Sequence, residues 1–193
     1  MIIRLFKLTI ALVLFRAGPE EMPFSLPVTR ALAALAVATS TLLMLPFVPF
    51  PLAIAAGIGG VGGIAFFTQA LLRIRKQEPR LLQTLAAQYA VGSLFAVLLY
   101  PAFVAMAPYV LEMMKNPNAL SDLESGKMAA PSAGLVSFIA DLLLLWNLVV
   151  SVRINRAAAE LSSPLGWLLT LASLFVVMSF VTMAQVIVFP LVK

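Results

Sequence analysis

The chain has 193 residues, 62% of them hydrophobic and only 11% charged, with a mean hydropathy of +1.05. That balance excludes a soluble globular domain and leaves an integral membrane protein, with room for five spans but none for a nucleotide-hydrolysing module or a soluble receptor head. Cysteine and histidine are both absent, so thiol and imidazole chemistry, disulfides and the common iron–sulfur, haem and zinc sites are removed, and no cofactor or metal is expected. The net charge of +5 comes from basic residues at the ends of apolar runs, which membrane orientation explains better than nucleic acid, and no nucleic-acid partner is expected.

Residues 1–16, MIIRLFKLTIALVLFR, place Arg4 and Lys7 on one side of an otherwise apolar helix. The apolar run is short, Arg16 follows it directly and no A-x-A cleavage pattern is present, so a retained amphipathic helix at the membrane interface is expected rather than a cleaved signal. Pro19, Pro23 and Pro27, with Glu20 and Glu21, then make a wet elbow that completes a first region, residues 1–29. The remainder, 30–193, reads as a transmembrane domain.

The apolar stretch after Arg30 is too long for one crossing, and Pro46, Pro49 and Pro51 divide it into spans at about 31–47 and 52–72. A basic loop, Arg73 to Arg80, precedes a third span at about 81–106, which Pro101 should kink. Residues 107–131 are polar enough to form the one long connection. A fourth span at about 132–152 ends at Arg153 and Arg156, a short link follows, and a fifth span runs over about 165–189. The expected fold is therefore all-α: a polytopic membrane protein of five transmembrane helices preceded by an N-terminal interfacial amphipathic helix.

Alternating spans put ten of the thirteen Lys and Arg residues on one side, leaving Lys115, Lys127 and Lys193 for the other. The positive-inside rule then sets the N-terminus in the cytoplasm and the C-terminus in the periplasm of a bacterial inner membrane, as a multi-pass protein.

Two constellations stand out. Gly57, Gly59 and Gly62 spell G-x-G-x-x-G, but no strand precedes them and both flanks are apolar, so a dinucleotide site is not the reading. Ala55, Gly59 and Gly63, or Ala56 and Gly60, stand four residues apart and offer a thin surface for close helix packing. Trp146, deeper than the interfacial aromatics Tyr100, Tyr109 and Trp167, is a candidate to pack on that glycine-rich helix.

The second constellation centres on Asp141, the one ionisable residue inside an apolar span. A carboxylate there costs about 2.5–3.5 kcal/mol on insertion scales, so it should meet other helices, be protonated or serve a function. Ser137 lies one turn before it on the same face, Asn147 points elsewhere, and Gln88 and Asn147 lie at similar depth and could meet. Asp141, Ser137, Asn147 and Gln88 thus form the candidate intramembrane polar site. No second ionisable residue is available for a relay. No Walker lysine, H-E-x-x-H, G-x-S-x-G or paired-carboxylate pattern is present, so no catalytic residues are assigned and the chain is not expected to be an enzyme.

The third span, YAVGSLFAVLLYPAFVAMAP, and the join LLLLWNLVVSVRINRAAAELS, together with span count and orientation, resemble the Ypt-interacting-protein (Yip) domain family over residues 31–190. The opening FRAGPEEMPFSLP is similar to a segment of uncharacterised proteobacterial inner-membrane proteins. This resemblance implies a helper or organiser of membrane proteins and no family catalytic residues. A non-enzymatic accessory, scaffold or assembly factor is the leading expectation, with the lipid bilayer and a membrane-protein partner or homo-oligomer as its associates. The alternative is a small transporter or channel that uses Asp141.

Overall fold

The computed structural model describes residues 2–116 and 134–191. They form six α-helices: α1 Ile2–Val13, α2 Leu26–Met44, α3 Phe50–Ile74, α4 Leu81–Lys115, α5 Gly134–Ala159 and α6 Ser163–Val188. Among the described residues there is no strand. Helices α2 to α6 are each long and apolar enough to cross a membrane, and the protein is an all-α polytopic membrane protein. At 12 residues, α1 is too short to span.

The helix bounds differ from the sequence expectation for local reasons. Helix α2 begins at Leu26 rather than near residue 31, because Pro27 occupies the first turn, where a missing N–H costs nothing. Helix α4 does not stop near residue 106 but continues through Pro101 and Pro108 to Lys115. Each proline removes one donor, leaving the carbonyls of Val97 and Val104 without their usual partner, while the rest of the ladder holds. The expected long connection therefore shrinks at its near end, and its remainder lies outside the described residues. With 35 residues α4 is roughly 50 Å long and reaches beyond a hydrocarbon core of about 30 Å.

Helix α5 runs past Arg153 and Arg156 to Ala159, where Ala157, Ala158 and Ala159 favour continuation. It stops by a left-handed residue, Glu160 (φ 53°), with the Leu161 N–H donating to the Arg156 carbonyl at 3.1 Å. Helices α1 and α3 close in the same way through Phe15 (φ 61°) and Lys76 (φ 56°), with Arg16 N–H to Ala11 O and Gln77 N–H to Leu72 O both at 2.7 Å. None of the three positions is glycine, the usual occupant.

Helix α3 packs most extensively on α6 and next on α2, while α4 packs on α2 and α5. A shorter contact between α5 and α6 closes the ring, and α1 lies against α4 and α5. The main core joins α1, α2, α4 and α5 through Leu12, Leu32, Phe95, Val150 and Ile154. A second cluster, Leu71, Leu72, Ala158, Ala159 and Leu161, seals the end that carries the 73–80 loop, called here the basic end.

Candidate functional site

Four polar side chains, one from each of α3 to α6, three of them buried and Gln88 half-buried, form a continuous hydrogen-bonded ladder across the bundle. Thr68 Oγ1 donates to Gln88 Oε1 at 2.7 Å, Gln88 Nε2 donates to Asn155 Oδ1 at 2.9 Å, and Asn155 Nδ2 donates to Thr170 Oγ1 at 2.9 Å. Thr68, Asn155 and Thr170 are 1–2% exposed. In a hydrocarbon surround a polar group has no water to fall back on, so each rung ties two helices at a fixed rotation. The ladder contains no ionisable group. It sets helix register and carries no charge.

Gln88 is thus bonded to Asn155 and Thr68, and not to Asn147, which lies half-buried eight residues earlier on α5. Ser137 directs its hydroxyl to the Met106 sulfur at 3.9 Å. Asp141 is exposed on α5, and among the described residues none bonds to it. The structure therefore does not bring Asp141, Ser137, Asn147 and Gln88 into one site. Sequence reading missed Asn155, Thr68 and Thr170, because Asn155 falls beyond Arg153, where the span was expected to have ended.

The small-residue face is occupied within the chain. A Cβ added at Gly59 would sit 2.6 Å from the Phe180 carbonyl oxygen, and one at Gly63 would sit 2.8 Å from Val177 Cα, both on the α6 backbone. Gly57 faces α2 instead, with Val37 O and Thr41 Oγ1 each 2.8 Å from such an atom. Ala55 and Ala56 are buried, whereas Gly60 meets only a Val181 methyl at 3.8 Å. Close packing of this kind lets backbone touch backbone and gains dispersion contacts that larger residues would prevent.

Trp146 does not rest on that helix, whose small face is taken by α6. Its indole N–H donates to the Val13 carbonyl at 3.1 Å, and its ring lies 5.1 Å from that of Phe15. The Arg153 guanidinium lies over the same Phe15 ring at 4.8 Å. Phe15, a bulky residue in the left-handed region, is thereby clamped at the end of α1. Gln83 fixes the elbow by donating to the carbonyls of Glu20 and Met22 at 2.7 and 3.1 Å.

At the basic end, two arginines from the α3–α4 loop cap α5. Arg75 donates to the carbonyls of Ala159 and Glu160, and Arg80 to those of Ala157 and Ala158, at 3.1–3.4 Å. Arg80 also pairs with Glu160 at 2.8 Å. These are the orphan carbonyls of a helix C-terminus, where positive charge is favoured. A wide groove of about 550 Å³ opens on the far half between α4 and the α2–α3 turn, lined by Leu45, Tyr100, Val104 and Pro108 among others. Among the described residues its lining is mostly apolar and carries no charged side chain.

Comparison with family models, with curated proteins and with solved structures finds no match.

Proposed function

We propose that this protein is a non-enzymatic accessory, scaffold or assembly factor that docks onto another membrane protein in the bacterial inner membrane. The observation that carries the reading is the position of Asp141. Asp141 is exposed on the surface of α5, away from the ladder, on a side that no helix among the described residues covers. A charged group on a lipid-facing surface is costly unless a partner meets it. A transport role would need that group to face a wet path between helices, so its outward position favours docking. The resemblance to the Yip domain family, as a helper of membrane proteins, agrees with this proposal.

Co-purification of the tagged full-length chain in mild detergent tests it: a second membrane protein at constant stoichiometry supports docking, and a strictly lone monomer refutes it. For orientation, the basic loop at 73–80 and the basic residues 153 and 156 support a cytoplasmic N-terminus. The chain has no cysteine, so single substitutions report cleanly. Lys76→Cys should react with a membrane-impermeant maleimide only from the cytoplasmic side, and Lys115→Cys only from the periplasm. The reverse pattern would invert the topology.

A further inference from the structure

On α5, Gly134, Phe138, Asp141 and Leu145 are all exposed, with Phe138 at 60% and Leu145 at 56%. Their spacing of four, three and four residues keeps them within an arc of about 60° at roughly 100° per residue, a seam suited to one neighbouring helix. The opposite face, with Ala140 buried and Val136 and Leu143 beside it, is the one that packs in the cluster with Leu99 and Ala102 of α4. Among the described residues, a Cβ built on Gly134 meets nothing within 4 Å.

Resting on the accessory reading above, we propose that this seam receives one transmembrane helix of a different membrane protein, and that this helix carries a Lys or Arg within its apolar stretch, paired with the Asp141 carboxylate. Charge decides the class of partner. Asp141 stands seven residues inside α5, roughly 10 Å along its axis, and its single methylene gives it little reach back to water. Lipid tails supply no donor at that depth. A second copy supplies no cation at that depth: an isologous α5–α5 contact sets one Asp141 against the other, and the basic residues of α2 to α6 lie towards helix ends, Arg30, Arg73, Arg153 and Arg156 at the basic end and Lys115 at the far end of α4. A helix with an embedded cation satisfies both the seam and the carboxylate, and such intramembrane charges pair with one another.

The test uses the full-length chain in its native membrane, with a benzophenone amino acid replacing Phe138 or Leu145 and, as control, Phe175, which is 77% exposed on α6. The proposal expects cross-linking from the two seam positions, and not from Phe175, to one span of another protein that contains a Lys or Arg. It expects yield to fall at least tenfold in the near-isosteric Asp141→Asn chain. It also expects Asp141→Lys to recover at least half the yield when the partner's basic residue is changed to Asp. Cross-links only to lipid, to the same chain or to a second copy overturn it, as does a yield indifferent to Asp141→Asn. A partner that co-purifies undiminished with Asp141→Asn removes the seam while leaving the accessory reading intact, whereas a chain with no partner at all removes both.

Discussion

Gly59 and Gly62 lie three residues apart on α3, yet substitution by alanine should separate them sharply. At Gly59 the new methyl would sit 2.6 Å from the Phe180 carbonyl oxygen and 2.9 Å from Val181 Cα, roughly 1 Å inside an optimal contact of about 3.5–4.0 Å. Both obstacles are backbone, so no rotamer change relieves the clash and α6 must move away from α3. Overpacking of this kind costs about 1–3 kcal/mol, and the better helix propensity of alanine returns at most about 1 kcal/mol. At Gly62 the nearest atom is Phe180 Cδ1 at 3.7 Å, an ordinary contact, so Gly62→Ala should be neutral or stabilising by up to about 1 kcal/mol. Unfolding in mixed micelles, followed by the fluorescence of Trp146 and Trp167, should show Gly59→Ala less stable than Gly62→Ala by about 1–3 kcal/mol. Equal stabilities would refute the close backbone contact between α3 and α6.

Three further perturbations probe other joints. Asn155→Leu removes two rungs of the ladder and leaves the Gln88 amide without its acceptor; at about 0.6 kcal/mol per interhelical bond plus the cost of the orphan, a loss of about 2 kcal/mol is expected in the same unfolding assay. Arg80→Ala should destabilise by about 1–2 kcal/mol because it uncaps Ala157 and Ala158, whereas Glu160→Gln should cost less than about 0.5 kcal/mol, since the ion pair is 40% and 57% exposed; melting temperatures of the two variants decide this. Trp146→Phe removes the indole bond to Val13 and should speed tryptic cleavage after Arg16 several-fold without lowering the melting temperature of the bundle; an unchanged cleavage rate would show that α1 is held elsewhere.

Much of the architecture is legible in the residues because the bilayer imposes length and polarity on each crossing. The proline cluster at residues 46–51 marks the α2–α3 turn, and the four-residue spacing of Ala55, Gly59 and Gly63 marks a packed face, although the identity of the opposing helix, α6, is a tertiary fact. The ends of α4 and α5 are hidden for different reasons. The polar residues after 106 read as a loop, yet the helix passes through them, since Pro101, expected to kink it, and Pro108 each delete a single donor from a 35-residue ladder. Arg153 and Arg156 look like a boundary, yet the helix persists until Glu160 turns left-handed and two arginines from another loop cap it. That misplaced end is why Asn155 escaped notice, and with it the partner of Gln88. Thr68 and Thr170 carry no distinctive spacing, since threonine is common in apolar helices and can satisfy itself on its own backbone. Asp141 was visible from the first as an anomaly; its outward direction depends on which face of α5 meets α4.

The most direct test of the docking account is native mass spectrometry of the protein released from its own membrane. The account expects this 20.7 kDa chain in a complex of fixed composition with a different membrane protein, lost or much reduced on Asp141→Asn. A chain that leaves the membrane alone, or only with copies of itself, would contradict it.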